Sequence, residues 1–306
     1  MKESVLKTNF AGLQLSNPTV LASGILGYTG DIMQSVAENG AGAVVTKSVG
    51  VNPRVGYANP TVVQTNCGLI NAMGLPNPGI NEYTKEIAYA KSILQVPLIV
   101  SVYGYSAEEY ALVAKKAVAA GADAVELNVS CPHVKYTGSE IGGNPKLLRD
   151  VVYKVKSEVT NPVIVKLSPN VTDIVELADT AVKAGADALT VINTVRALAI
   201  DVETALPILT NIRGGLSGSA IKPIALRCVY DISECIKVPI MGCGGISNWR
   251  DAAEFLLAGA SALQVGTAVA TESPCVFQQI SEGLTSYLKR KGYKSVNEIV
   301  GKAHRA

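Results

Sequence analysis

Apolar residues recur along this chain in two alternating kinds of short run. Four segments share one pattern: "NGAGAVVT" from Asn39, "AGADAVEL" from Ala120, "AGADALTV" from Ala184 and "AGASALQV" from Ala258. In each, a glycine suits the left-handed end of a helix, and the apolar run after it reads as a strand buried on both faces. The stretch before it has helical spacing, as in "AEEYALVAKKAVA" over 107–119. A second set alternates with the first: "NPTVLA", "VPLIVSV", "NPVIVKL" and "VPIMGC", from Asn17, Val96, Asn161 and Val238. Here a proline opens the strand, where its missing N–H costs little.

The order is therefore Pro18, Gly40, Pro97, Gly121, Pro162, Gly185, Pro239, Gly259. Each proline stands 20 to 24 residues before the next glycine, about a strand plus a helix. The pattern predicts eight β/α units. Parallel strands joined by right-handed crossovers favour an eight-stranded (β/α)8 TIM barrel, with 1–306 as a single domain. A doubly wound open sheet is the alternative. Two stretches exceed a minimal barrel: 51–81 after the second strand and 195–223 after the sixth. Both are rich in turn residues yet carry apolar ones, so they are expected as ordered insertions over the C-terminal face, where barrel active sites lie. The first residues, "SVLKTNFAGLQLSNP", predict an N-terminal hairpin plugging the opposite end.

Composition narrows the function. Hydrophobic residues make up 48% and charged ones 17%, which implies a large core and excludes a disordered chain. The net charge is +2, with Lys and Arg scattered, so no nucleic-acid footprint is expected. The opening "MKESVLKTNF" is no signal peptide, and no run of 18 apolar residues predicts a membrane span. The cysteines at 67, 131, 228, 235, 243 and 275 form no CxxC pair, so reduced thiols and a cytoplasmic location are expected. Their spacing excludes a common ferredoxin-type cluster in this chain. His133 and His304 are the two histidines, too few for a common zinc site, and His304 lies near an end expected to fray. No metal is expected. No GxGxxG follows a strand, so a Rossmann-type site is absent.

The C-terminal strand ends read Ser23–Gly24, Lys47–Ser48, Ser101, Asn128 to Cys131, Lys166–Ser168, Asn193–Thr194, Gly244–Gly245 and Gly266–Thr267. Strand ends are polar wherever loops meet water. Two lysines and two asparagines aimed at one barrel mouth are harder to assign to solvation alone. "GCGGIS" (242–247) and "VGTA" (265–268) follow strands seven and eight, the usual phosphate site of such barrels; ordinary tight turns are the bland reading. Cys131 is the best candidate for a general base, since a thiol titrates near neutrality at about pH 8.5. The other five cysteines read as inert packing residues. A Schiff-base aldolase or phosphate-sugar isomerase with Lys166 as nucleophile also fits a barrel, but leaves Cys131 and the asparagines unexplained.

At this level of detail the chain resembles the class 1 dihydroorotate dehydrogenases from end to end. The residues that carry the likeness are "LASG" (21–24), "TKSV" (46–49), "NAMGLPNPG" (71–79), "ELNVSCPHVK" (126–135), "VKLSPN" (165–170), "VINT" (191–194), "GGLSG" (214–218), "GCGGI" (242–246) and "VGTA" (265–268). The resemblance implies an FMN barrel, one FMN per chain, that oxidises dihydroorotate to orotate. Cys131 stands in the base position, where the membrane-attached class 2 enzymes use Ser. "HVKYTG" after "SCP" is closer to class 1B catalytic subunits, which pass electrons to NAD+ through a partner carrying FAD and [2Fe-2S], than to the fumarate-using class 1A. A dihydrouracil-type dehydrogenase is a nearer rival than the aldolase. His133, Thr137, Ile141 and Ser219 depart from the family's commoner Asn, Gly, Phe and Pro.

By the same resemblance Ser23, Lys47, Ser48, Asn128, Lys166, Ile192, Gly218, Gly244, Gly245, Gly266 and Thr267 would hold the cofactor. Lys47, Asn71, Ala72, Met73, Gly74, Leu75, Asn128, Asn193 and Thr194 would hold the substrate. Residues 132–143 are expected to form a lid, and the chain to pair as the homodimer core of a heterotetramer.

Overall fold

The computed structural model describes residues 4–129 and 141–305. Its centre is a closed parallel barrel. The strands are β1 (Thr19–Leu21), β2 (Ala43–Val45), β3 (Leu98–Val102), β4 (Ala124–Asn128), β5 (Val163–Leu167), β6 (Ala188–Val191), β7 (Ile240–Cys243) and β8 (Ala262–Val265). Neighbours pair in chain order, and β8 closes on β1 with Leu263 opposite Thr19. The helices that follow them are α1 (Gly30–Glu38), α2 (Ile80–Ile93), α3 (Ala107–Ala119), α4 (Pro145–Glu158), α5 (Ile174–Lys183), α6 (Lys222–Cys235), α7 (Trp249–Ala258) and α8 (Val276–Lys291). The eight units and the barrel expected from the repeats are present, not the open sheet.

Local chemistry sets these boundaries. Side chains of Thr29, Ser106, Asn144, Asp173 and Asn248 cap five helix starts by accepting backbone N–H groups. Gly40, Gly121, Gly185 and Gly259 all take positive φ just beyond their helices, as the repeat implied.

Inside the barrel each strand alternates. Ile99, Ala124, Ile164, Ala188, Met241 and Ala262 form an apolar inner layer with Phe10, Leu13 and Leu15. Those last three belong to the hairpin Thr8–Phe10/Leu13–Leu15, which plugs the N-terminal end of the barrel as expected. Two residues further along the strands the inward positions turn polar: Ser101, Glu126, Lys166, Thr190 and Gln264, all buried.

The two long insertions join. Val62–Thr65, Gly68–Asn71, Arg213–Ser217 and Val195–Leu198 form one antiparallel sheet, in which Asn71 of the first insertion faces Gly215 of the second. At the C-terminus one expectation is corrected. The last turn is anchored, not frayed: His304 stacks on Tyr230 of α6 at 4.0 Å and hydrogen-bonds through Nε2 to the Ala258 carbonyl at 2.9 Å. Among the described residues no helix is long and apolar enough to cross a membrane.

Candidate active site

A cavity of about 510 Å³ opens at the C-terminal mouth of the barrel. It is lined by Ser23, Lys47, Ser48, Asn128, Lys166, Ile192, Asn193 and Thr194 from the strand ends. The first insertion adds Asn71, Met73, Gly74 and Leu75; Gly218, Gly244, Gly245, Gly266 and Thr267 close one wall. Ala72 does not reach the cavity. It is buried beside Ile70 and Leu209 under the inserted sheet, and its N–H donates to the Thr61 carbonyl. Cys131, His133, Thr137 and most of the expected lid lie outside the described residues; Ile141 packs in the main core.

One wall is a chain of small polar groups. Ser48 Oγ lies 2.8 Å from Ser101 Oγ and 3.4 Å from Ser23 Oγ, and it accepts from Asn128 Nδ2 at 3.0 Å. Asn193 Nδ2 approaches Asn128 Oδ1 at 3.4 Å, and Asn193 Oδ1 accepts the Thr194 N–H at 2.9 Å. Asn71 is held by the Gly215 carbonyl at 3.3 Å. These contacts fix amide planes around one space, as recognition of a flat polar ring requires. The Lys47 ammonium lies near this wall, 5.8 Å from the centre of the Tyr28 ring.

The glycine wall has another character. Gly245 has φ +76°, and a Cβ there would meet the Gly218 carbonyl oxygen at 2.8 Å and Lys222 Cβ at 2.8 Å. At Gly218, φ +95°, a Cβ would lie 2.7 Å from Gly68 Cα. Backbone from three loops therefore converges where no side chain fits, a cradle suited to a phosphate. Asp251, near the start of α7, braces it. Its carboxylate accepts from the Ser247 N–H at 3.0 Å, the Ser247 hydroxyl at 2.8 Å and Lys222 Nζ at 2.7 Å. Burial alone would raise the Asp251 pKa, but these hydrogen bonds outweigh it and the net shift is downward.

Lys166 forms part of the cavity floor and is buried. Its Nζ donates to Gln264 Oε1 at 2.7 Å, while Gln264 Nε2 and Thr190 Oγ1 both donate to Glu126 Oε2. Burial pushes the lysine pKa down, yet the Glu126 carboxylate beside it pushes it up further, and the net shift is upward. Burial raises the Cys243 thiol in turn.

Several lining residues escape a reading of strand ends. Tyr28, Ser217 and Cys243 line the cavity without having been assigned to the site, and Gln264 and Glu126 reach it only through Lys166. A charged Glu126 inside an otherwise apolar strand was the available signal. The cysteine expectation also needs correction. Cys228 is buried, but Cys67, Cys235 and Cys275 are exposed and Cys243 lines the cavity, so packing explains only one of the five described, all of them free thiols.

Fold and site together define a (β/α)8 protein with a deep ligand cavity at its C-terminal mouth, glycine-cradled on one side and amide-lined on the other. The chain matches the dihydroorotate dehydrogenase family over residues 5–288 and belongs to that family. It is similar to proteins named dihydroorotate dehydrogenase B (NAD(+)), catalytic subunit, from three archaea. The one from Pyrococcus abyssi is 51% identical over 98% of this chain and 99% of its own. Those from Methanosarcina mazei and Methanocaldococcus jannaschii are 48% and 49% identical, each over 99% of this chain, and 96% and 100% of their own.

Proposed function

We propose that this chain is the catalytic subunit of an NAD+-linked dihydroorotate dehydrogenase, oxidising dihydroorotate to orotate in de novo pyrimidine biosynthesis. The observation that carries this reading is the convergence of Asn71, Asn128, Asn193, Thr194, Lys47 and Lys166 on one cavity beside the glycine cradle. The cradle and the buried ammonium fit FMN: one accepts its phosphate, the other faces a ring that gains negative charge. FMN supplies the acceptor for the hydride leaving carbon six of dihydroorotate. Gly218, Gly244, Gly245, Gly266 and Thr267 hold the phosphate; Ser23, Ser48 and Ile192 line the ring site. The amide groups hold the pyrimidine flat, and Lys47 complements its carboxylate. Cys131, as thiolate, takes the proton from carbon five. Loss of that proton and the hydride leaves the ring double bond of orotate.

Residues 1–306 then act as one FMN-binding unit in the cytoplasm. Two such chains form a homodimer core, and an electron-transfer subunit carrying FAD and [2Fe-2S] completes a heterotetramer. The test is colour and bleaching. The purified chain should be yellow, with the spectrum of an oxidised flavin, and dihydroorotate should bleach it without air. A colourless chain that borohydride traps on a sugar phosphate would instead make Lys166 an aldolase nucleophile.

A further inference from the structure

Below the cavity floor the barrel interior is apolar, so a fully buried carboxylate at Glu126 needs a reason. Stability is a weak one, because an apolar replacement for a buried ion pair is often neutral or better. The pair is also half made. Glu126 Oε1 lies 3.8 Å from Lys166 Nζ, beyond hydrogen-bond range, and among the described residues it has no hydrogen-bond partner. Leaving a buried acceptor unsatisfied forfeits the hydration it would have in water. Gln264 stands between the two charges, its oxygen taking the ammonium and its nitrogen the other carboxylate oxygen. The spacer keeps the ammonium at the cavity floor, where a direct pair would draw it down into the barrel.

We infer that Glu126 is a positioning residue: through Gln264 it holds the Lys166 ammonium at the cavity floor, and its charge keeps down the reduction potential of the flavin bound above. The inference rests on the FMN reading proposed above. Reduction adds negative charge over Lys166. Removing the Glu126 charge leaves the lysine uncompensated and favours the reduced ring. Removing Gln264 lets the ammonium close onto Glu126 Oε1 and withdraw from the ring, which disfavours it. Without Lys166 there is no ammonium for Gln264 to place or for Glu126 to compensate, so neither change has that charge to act through.

The experiment is a potentiometric titration of the flavin in the holoenzyme with Glu126→Gln, Gln264→Met and Lys166→Met, singly and with Lys166→Met combined with each of the others. Glu126→Gln should raise the ratio of reduced to oxidised flavin about tenfold at fixed potential, ~30 mV for a two-electron couple. Gln264→Met should move the midpoint the other way, and both shifts should vanish in the Lys166→Met background. Opposite signs that depend on Lys166 are not what a merely structural role gives, and Gln264→Met carries the test if Glu126→Gln does not fold. A yellow Glu126→Gln protein with unchanged midpoint, or the same shift without Lys166, overturns the inference. A wild-type chain that takes up no FMN overturns the flavin reading itself, and with it this proposal.

Discussion

Cys131 and Lys166 both stand out in the sequence, by different signals. Cys131 stands out because a strand run breaks into Asn-Val-Ser-Cys-Pro; Lys166 because it is one of two lysines at strand ends facing one barrel mouth. Glu126 and Gln264 were harder to read. Each is the seventh residue of its own eight-residue repeat, and they meet only across the closed barrel, 138 residues apart in sequence. Ala72 is the opposite case. A contiguous motif was read as one binding surface, but the chain leaves its strand there and turns that methyl into the core of the insertion. For Cys131 the expected outcome is specific. Cys131→Ser should keep FMN bound and lose about two to four orders of magnitude in turnover near pH 7, the usual contribution of a general base. Part of it should return at high pH, where even a poor base is assisted by hydroxide. A pH–rate profile of both proteins checks this, and wild-type activity in the variant at pH 7 removes Cys131 from the mechanism.

Among the elements, the N-terminal hairpin and the start of α7 do separable jobs. The hairpin seals the end of the barrel remote from the cavity, with Phe10 fully buried. Phe10→Ala should therefore cost about 3–5 kcal/mol of stability, while kcat at low temperature stays near wild type. Denaturant unfolding beside steady-state kinetics separates the two, and a kcat loss without a stability loss would contradict this division. Asp251 acts on the cavity instead, by bracing the turn at Ser247. Because its folded-state pKa lies below the ordinary value of 3.8, the contribution is complete at neutral pH and drains away as pH falls below that value. Asp251→Asn should cost about 2 kcal/mol at pH 7, flatten the stability profile below about pH 4 and weaken FMN retention. Thermal melts from pH 3 to 8 check the first two and flavin release the third; a profile parallel to wild type would remove Asp251 from the linkage. The eight β/α units are readable because each carries one of two alternating local patterns. The sheet that joins 62–71 to 195–217 was not, since its pairing is nonlocal and its strands carry no common period.

For the whole molecule the open matter is where electrons leave. The sequence has no Rossmann fingerprint for nicotinamide, and its cysteines have no cluster-binding spacing. The cavity, about 510 Å³ and walled partly by the inserted sheet, suits one mononucleotide cofactor with a small ring beside it, not a dinucleotide as well. Hydride transfer from a flavin held there to NAD+ would need the two rings in contact. A relay through bound redox centres needs only that an acceptor dock near the flavin edge, which is a task for another subunit. The isolated chain should therefore reduce artificial dyes or oxygen at the expense of dihydroorotate, yet hardly reduce NAD+. Adding a subunit with FAD and an iron–sulfur centre should confer NAD+ reduction and shift the particle from homodimer to heterotetramer. Orotate formation is measured with NAD+, with fumarate and with a dye, with and without the partner, alongside the mass of each complex. Brisk NAD+ reduction by the isolated chain would place the exit within this fold. Rapid turnover with fumarate would assign the chain to the class that hands its electrons to a small dicarboxylate in the same cavity.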